Sequence, residues 1–404
     1  MDNLRTVLAP LKDQIQKLKE MKWEGMKMDL WLCGDYDFFT KMFGLSGPAG
    51  KHPCLWCDVT KEQLQTSPAG RVEPKPRTLA TMQTDYDDFV NAGCDKSKAQ
   101  FFNNCIEKPI WNMFDISRVV PPYLHITLGI VKKQDDLLEK QCNILDQEIA
   151  VHLKKGYDKG QTHIESKFKK FVEKSKMIKE KIAEKTEMEI EKGGDVIYEV
   201  KPQDVYDTVD KLEDVIDAMK RKRGSLPLLL GPVTANLDAV REKHKIVKRA
   251  RHSRSFDGNH CHKYLEERVY SDICNSVVQM TLEMTDSREL YEKAKLIRSR
   301  FSHLNRLYAK VHKLISHRKP ISKSETITQI DNAIEAYMAF YRHTFKKVSI
   351  IPKQHILESH CSWFVNFTDF SLGFLGEQGG EQIHATMEKM KRRFHGMRDD
   401  GERV

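Results

Sequence analysis

The sequence predicts an α/β protein that is mostly α-helical, with a large all-helical insertion and a split zinc site that closes the chain. Three observations predict this class. Apolar residues at helical spacing dominate a charged middle section, and short apolar segments near the N-terminus are typical of strands. A Cys-x-x-Cys pair, Cys54 and Cys57, has its expected zinc partners far away in His355 and His360. Four ligands on one zinc would join the two ends of the chain.

This zinc hypothesis also defines three segments. Residues 1–130 would form the N-terminal part of the core with the cysteine pair. Residues 131–347 would form the helical insertion, and residues 348–404 the C-terminal part of the core with the histidine pair. A chain of 404 residues is long enough to bury a substantial core.

The N-terminal segment contains the predicted elements that lead to the cysteines. A first helix is predicted by apolar residues at Leu4, Val7, Leu8, Leu11, Ile15 and Leu18. Met26–Cys33 alternates and then becomes apolar, which predicts a short strand that places Asp35 at its C-terminal end, where open α/β sheets place their chemistry. Phe38–Phe43 predicts a helix closed by Gly44, and Val119–Ile126 predicts another buried segment.

Composition narrows the class of protein. The 67 Lys and Arg against 58 Asp and Glu give a formal charge of +9, which favours polyanionic partners only mildly. The N-terminus has no apolar signal core, and no run of about 18 apolar residues could span a bilayer, so we expect a soluble, intracellular protein without membrane contact. The nine cysteines are an odd number and sparse for the length, which favours reduced thiols or metal ligands over disulfides.

The middle of the chain is rich in Lys and Glu, with apolar residues at helical spacing. Gly193-Gly194 and the segment from Leu226-Pro227 to Pro232 are predicted to divide it into helical blocks. The charge run Lys154–Lys192 mixes both signs, which favours a solvated amphipathic helix or coiled-coil arm over a dedicated nucleic-acid surface.

A second charged stretch, Arg241–Arg254, holds seven Lys and Arg against one Glu. Such charges on neighbouring helical turns can meet several phosphates, and each contact releases counterions. Phosphate binding is the preferred interpretation, and a solvated helix face is the alternative. The candidate DNA contacts are Lys245, Lys248, Arg249, Arg251 and Arg254.

Each half of the proposed zinc site is weak when taken alone. A Cys-x-x-Cys pair can be redox-active or incidental, and histidine pairs are common on helices. The cluster His260-Cys261-His262 competes with the distant histidines. Alternating residues of an extended chain point to opposite faces, so this cluster is the poorer candidate.

Several motifs carry a resemblance to a known family. They are, in chain order, Gly34-Asp35-Tyr-Asp-Phe-Phe-Thr-Lys-Met-Phe-Gly44-Leu45, then Cys54-Leu-Trp-Cys57-Asp-Val-Thr60, Tyr123-Leu-His125, Phe256-Asp-Gly-Asn259 with Lys263 and Leu265, His355 with His360, and Glu377-Gln-Gly-Gly-Glu381 followed by Lys391-Arg-Arg-Phe394. This ordered set resembles the catalytic core of the V(D)J recombinase large subunit (recombination-activating protein) and of Transib-type DNA transposases. The resemblance covers nearly the whole chain, but its motifs are dispersed.

The resemblance implies a ribonuclease-H-like fold in which two Asp and one Glu hold two divalent ions, Mg²⁺ or Mn²⁺, for DNA strand cleavage and transfer. It makes Asp35 the second Asp of that set and Glu381 the Glu, with Glu377 as the alternative. It makes Cys54, Cys57, His355 and His360 the zinc ligands. It further implies DNA as partner, a homodimer, a possible accessory subunit and a nuclear location.

The sequence departs from the family pattern in two places. The family carries its first catalytic Asp on a strand well upstream of the second, whereas only one predicted helix precedes the Asp35 strand here. Thr127 stands where the family has an Asp two residues after its Leu-His. Taken alone, an Asp that follows a strand is more often a helix cap than a metal ligand, which is the alternative role for Asp35.

Two classes of function remain open. The chain is either part of a DNA transposase or recombinase that is active once another segment supplies the first Asp, or a domesticated, non-enzymatic remnant. The remnant would be a zinc-stabilised module that binds DNA or a protein.

Overall fold

The computed structural model describes residues 2–158, 231–248, 256–317 and 323–376, which are mostly helical. The α-helices are α1 (Asp2–Glu20), α2 (Tyr36–Met42), α3 (Lys61–Leu64), α4 (Leu79–Asn91), α5 (Tyr123–Asp158), α6 (Pro232–Lys243), α7 (Gly258–Tyr264), α8 (Glu267–Met284), α9 (Arg288–Ile315), α10 (Lys323–Thr344), α11 (Pro352–Ile356) and α12 (Ser362–Thr368). Short 3-10 turns lie at Pro68–Gly70, Lys96–Phe102 and Ile116–Arg118, and a π-helical turn spans Leu357–Cys361. This confirms the mostly α part of the prediction.

Strand structure is sparse. Within the described ranges, the only sheet is a hairpin in which β1 (Lys22–Trp23) pairs antiparallel with β2 (Met26–Lys27). Every described element between residues 131 and 344 is a helix. The ribonuclease-H-like arrangement stays a prediction.

The described residues belong to two units. The first unit is formed by Met1–Ile126, His312–Met338 and Phe345–Val404, and the second by Thr127–Val311 and Ala339–Thr344. Residues 159–230 hold most of the predicted charged arm, the predicted break at Gly193-Gly194 and most of the predicted break from Leu226 to Pro232, and they lie outside the described residues. No helix that the structure describes combines the length and the apolar character needed to cross a bilayer.

The predicted strand Met26–Cys33 is wrong for most of its length. After the short hairpin, only Leu32 forms a ladder contact, a single parallel bridge to Val119. The Leu32 amide donates to the Arg118 carbonyl at 3.0 Å, and the Val120 amide donates to the Leu32 carbonyl at 2.9 Å. The bridge cannot extend, because the two residues after Val120 are prolines, which have no N–H to donate.

The segment Val119–Ile126 is buried as predicted, but its second half is helical. Tyr123 begins α5, and the Ile126 amide donates to the carbonyl of Pro122 at 2.9 Å. A proline suits the first turn of a helix, because that turn has no intrahelical partner for an N–H. Tyr123 and His125, which belong to one motif of the family resemblance, therefore lie in a helix.

The helix predicted for Phe38–Phe43 is confirmed as α2. Asp35 precedes it as N-cap, and its carboxylate accepts a hydrogen bond from the Phe38 amide at 2.6 Å. Gly44 follows with a φ of +76°, a left-handed conformation that glycine adopts without strain. A Cβ at this position would lie 1.9 Å from the Glu107 carbonyl oxygen, so only glycine fits.

A buried ion cluster connects α5 and α6 within the second unit. The Arg241 guanidinium lies 2.6 Å from an Asp135 carboxylate oxygen and 2.5 Å from Asp238. The Lys248 ammonium lies 2.9 Å from Asp135 and 2.5 Å from Glu139. Burial alone would raise the pKa of Asp135, but Arg241 and Lys248 hold it below its ordinary value.

This cluster changes the interpretation of the basic stretch. Lys248 is buried between carboxylates, so it is not the exposed phosphate contact that the sequence predicted. Lys245 is exposed, as a DNA contact requires. Arg249, Arg251 and Arg254 lie outside the described residues.

Asp146 has a different environment, at the N-terminus of α6. Its buried carboxylate accepts hydrogen bonds from the amides of Val233 and Thr234, each at 2.9 Å, and from the Thr234 hydroxyl at 2.7 Å. Gly231 leaves the necessary space, since a Cβ there would lie 2.5 Å from the Asp146 carboxyl carbon. Burial raises the pKa of Asp146 to about 7, although these hydrogen bonds act in the opposite direction.

We predict that Asp135→Asn lowers the free energy of unfolding by about 3–5 kcal/mol, because it leaves the buried Arg241 without its main counter-charge. The matched control is Asp136→Asn on the same helix, whose partner Lys132 is partly exposed. Asp136→Asn should lower the free energy of unfolding by at most about 1 kcal/mol. Urea denaturation measures both values, and equal losses would contradict a structural role for the cluster.

The second prediction concerns pH. The folded-state pKa of Asp146 is about 7 against an ordinary value of 3.8, so folding favours the protonated form. The stability that Asp146 contributes should be fully present below about pH 4 and decline by up to about 1.4 kcal/mol per pH unit until about pH 7. In Asp146→Asn this decline should disappear from the plot of unfolding free energy against pH. An unchanged slope in the variant would refute the assignment.

Candidate metal centre

The cysteine half of the centre is a turn held in place by the segment that follows it. Cys57 forms an antiparallel bridge with Pro76, and the Arg77 amide donates to the Trp56 carbonyl at 2.9 Å. The buried Arg77 guanidinium donates through Nε to the carbonyls of Cys54 at 3.1 Å and Cys57 at 3.0 Å. The turn is therefore fixed by backbone and side-chain donors and does not depend on a metal for all of its geometry.

The histidine half lies on one continuous helical run, formed by α11, the π-helical turn and α12. His355 and His360 are five residues apart, which in a regular α-helix would place them about 140° apart around the axis. The π-helical turn Leu357–Cys361 begins two residues after His355 and contains His360, and it has wider turns, in which residue i bonds to i+5. Both imidazoles are therefore presented on one face.

These two halves bring four ligand atoms together. Cys54 Sγ lies 3.3 Å from His360 Nε2, and Cys57 Sγ lies 3.3 Å from His355 Nε2 and 3.5 Å from His360 Nε2. The two Nε2 atoms are 3.3 Å apart, and all four ligand atoms lie within 4.8 Å of one another. The residues predicted from the two ends of the chain form a group that can hold a metal ion.

The distances fit a tetrahedral ion of zinc's size. Usual zinc bond lengths place two nitrogen ligands about 3.3 Å apart, and a nitrogen and a sulfur about 3.6 Å apart. The observed separations agree with these values to within a few tenths of an ångström. Two thiolates and two neutral imidazoles are also a usual donor set for structural zinc.

Burial and mutual hydrogen bonds shift the pKa values of three of the four ligands. Burial alone would raise the pKa of Cys54, but hydrogen bonds from Cys57 lower it overall. The hydrogen bond to Cys54, together with burial, raises the pKa of Cys57 to about 11. Burial lowers the pKa of His355 and so keeps its imidazole neutral. A divalent cation between the two sulfurs would favour the thiolate form of both cysteines.

The site has an access path. A cleft of about 840 Å³ lies beside the cluster, and its walls include Trp56, Arg71, Arg77, His355, His360 and Trp363. Part of the ligand set therefore faces open space through which an ion can enter.

His355 also has polar neighbours on the side away from the other ligands. The Ser359 hydroxyl lies 3.2 Å from His355 Nδ1 and 3.1 Å from an Arg71 nitrogen.

The remaining predicted site residues are not brought together by the described part of the chain. Asp35 is half-buried at the start of α2, and among the described residues it belongs to no group of three or more potential metal ligands. Glu377 and Glu381 lie outside the described residues. The metal set of Asp35 and Glu381 stays a prediction.

Three other residues singled out in the sequence, His260, His262 and Thr127, lie in helices of the described structure. His260 and His262 lie in α7 and not in an extended chain, so the reason given for preferring the distant histidines was wrong, although the preferred four residues do cluster. Thr127 is buried and accepts a hydrogen bond from the Tyr308 hydroxyl at 3.2 Å.

The residues that surround the ligands were not predicted. Pro76 and Arg77 fix the cysteine turn, through the bridge to Cys57 and the Arg77 hydrogen bonds. No pattern in the sequence marks Arg71, Arg77 or Ser359 as partners of distant ligands. The five-residue histidine spacing could have indicated a π-helical turn, because a regular helix would not align the two side chains.

No family model matches the chain, and no curated protein matches it at a significant level.

We predict that the purified chain contains one zinc ion, measured by elemental analysis, because four ligands at tetrahedral spacing are already assembled. The double variant His355→Ala/His360→Ala should lose the zinc. The control Cys33→Ser removes an exposed thiol outside the cluster and should retain it. Equal zinc content in all three proteins would refute the assignment.

Proposed function

We propose that this chain is a zinc-stabilised part of a transposase-like or recombinase-like protein that acts on DNA. The observation that carries the proposal is the assembly of Cys57 and His355, 298 residues apart, at 3.3 Å together with Cys54 and His360. The family resemblance requires these four positions to meet, and neither half-site predicts the other by local spacing.

The zinc would be structural. Cys54, Cys57, His355 and His360 would supply all four ligands of a tetrahedral ion, which leaves no position for a substrate or a reactive water. The ion would hold the cysteine turn against the helical run that carries the histidines. Arg77 supports this role, since it holds the carbonyls of the cysteine turn from within the protein.

DNA cleavage in this proposal depends on a different set of residues. Asp35 and Glu381, or Glu377 in its place, would hold Mg²⁺ or Mn²⁺, which supplies activation of the nucleophile and stabilisation of the leaving oxygen when bound. The family chemistry needs a further Asp. Asp29 is a poor substitute, because Arg118 already holds its carboxylate through contacts of 2.6 and 2.7 Å. We therefore propose that this carboxylate comes from another segment or another polypeptide.

A second candidate function is a non-enzymatic, zinc-stabilised module that binds DNA or a protein. Two observations favour it. The Asp35 carboxylate is used as a helix cap, and Lys248, one of the proposed DNA contacts, is used in the buried ion cluster. Both residues thus have structural roles that would persist without any catalytic activity.

A nicking assay separates the two candidates. If Asp35 is a metal ligand and the further carboxylate comes from another segment of this chain, the full chain should nick supercoiled DNA with Mg²⁺ or Mn²⁺, and Asp35→Ser should abolish the nicking. Serine keeps the N-cap hydrogen bond but removes the carboxylate charge, so a loss of nicking cannot be attributed to the cap. The matched control is Asp37→Ser, since Asp37 is an exposed neighbour paired with Lys41.

The outcomes of this assay are distinct. Nicking by the native chain that Asp35→Ser abolishes and Asp37→Ser leaves intact excludes the non-enzymatic candidate. DNA binding without nicking favours that candidate for this polypeptide. Nicking that persists in Asp35→Ser refutes the metal-ligand role of Asp35.

A further inference from the structure

The side of His355 that faces away from the other ligands has two polar neighbours. His355 Nδ1 lies 3.2 Å from the Ser359 hydroxyl and 3.5 Å from an Arg71 nitrogen. The same Arg71 nitrogen donates to the Ser359 hydroxyl at 3.1 Å. Because His355 is 1% exposed, solvent supplies little alternative hydrogen bonding for this nitrogen.

We propose that Ser359 and Arg71 are positioning residues of the metal centre, which hold His355 in the orientation and the tautomer that expose the Nε2 lone pair to the ion. The inference rests on the proposed zinc. It adds two residues to the four ligands and assigns a separate role to each.

Ser359 suits this role because a hydroxyl both donates and accepts. When Nε2 binds a metal, the imidazole is neutral and Nδ1 carries the proton, so Nδ1 must donate and Ser359 Oγ must accept. Without a metal, Nε2 can donate to the Cys57 sulfur 3.3 Å away, and Nδ1 then accepts. The Ser359 hydroxyl satisfies both states by rotation, whereas a side chain that only accepts would satisfy one.

Arg71 acts on Ser359 from the other half of the site. Arg71 Nη1 donates to the carbonyls of Gln63 at 3.2 Å and Thr66 at 3.4 Å, which follow the cysteine turn. Arg71 Nη2 donates to the hydroxyl of Ser359, which lies 288 residues later in the chain. Arg71 therefore connects the cysteine half to the histidine half without involving a ligand atom. It also supplies a permanent donor to Ser359, so that the oxygen lone pairs point toward Arg71 and His355.

The test measures Zn²⁺ affinity of the full chain by competition with a chromophoric chelator. Ser359→Ala and Arg71→Lys should each weaken Zn²⁺ binding by about 10–100-fold, the usual effect of removing a partner of a ligating histidine. Ser359→Thr keeps the hydroxyl and should restore affinity to within a few-fold. The matched control Ser362→Ala removes a half-buried hydroxyl one turn further along the same helical run and should leave affinity unchanged.

A spectroscopic measurement separates positioning from general stability. The visible spectrum of the Co²⁺-loaded protein reports ligand geometry, and ¹⁵N shifts of His355 report which ring nitrogen carries the proton. Ser359→Ala should change both at saturating metal, and Ser359→Thr should resemble the native protein. If Ser359→Ala does not fold, Arg71→Lys decides the question by the same measurements.

Each failure has its own signature. A native chain that binds neither Zn²⁺ nor Co²⁺ refutes the proposed metal centre itself. A native chain that binds Zn²⁺ while Ser359→Ala and Arg71→Lys bind it equally well, with native Co²⁺ spectra, refutes only the positioning roles. Weakening in Ser362→Ala of the same size as in Ser359→Ala also overturns them, because the effect would then be a general one of the helix.

Discussion

The contact between the cysteine turn and the histidine run is the constraint on which the first unit depends. It joins residues 298 positions apart, and closing a loop of that length costs about 5 kcal/mol of chain entropy before other terms. A structural zinc contributes about 10–16 kcal/mol, which exceeds this cost. Arg71, Arg77 and the buried ligands add contacts that do not need the ion. The same contact explains how a chain with a long intervening section can return to complete a site near its beginning.

The second unit depends on buried charge. Arg241 and Lys248 lie in a stretch that looks uncompensated in the sequence, but Asp135 and Glu139 neutralise them from a helix more than a hundred residues earlier. A count of charges within a window cannot detect such a pairing. A basic stretch can therefore bind an external polyanion or pair with acidic residues elsewhere in the same chain. Acidic residues of the same chain account for Arg241 and Lys248 here.

Patterns that depend on local chemistry predicted local structure, and those that depend on distant packing did not. The α2 helix and its closing Gly44 follow from periodicity and conformational preference. The two halves of the ligand cluster were singled out by donor type and by the family resemblance, and the structure brings them together in a group that can hold a metal ion. The predicted strand Met26–Cys33 was wrong because its end pairs only through Leu32 with Val119, and Pro121 and Pro122 prevent the pairing from extending. The same two prolines precede the helix that begins at Tyr123. The role of Arg77 could not be inferred, since a buried arginine has the same local sequence pattern as a solvated one.

The π-helical turn couples two properties of the chain that are otherwise independent. It sets the rotational phase between the histidines, and it also sets the phase of everything that follows on the same run, including the buried Phe364 and Val365 of α12. Removing one residue from the turn would give a four-residue spacing that still aligns two histidines on a regular helix. It would also rotate α12 by about 100° and turn its apolar face away from the core. The spacing of the ligands is thus fixed by the packing of the next helix as much as by the metal.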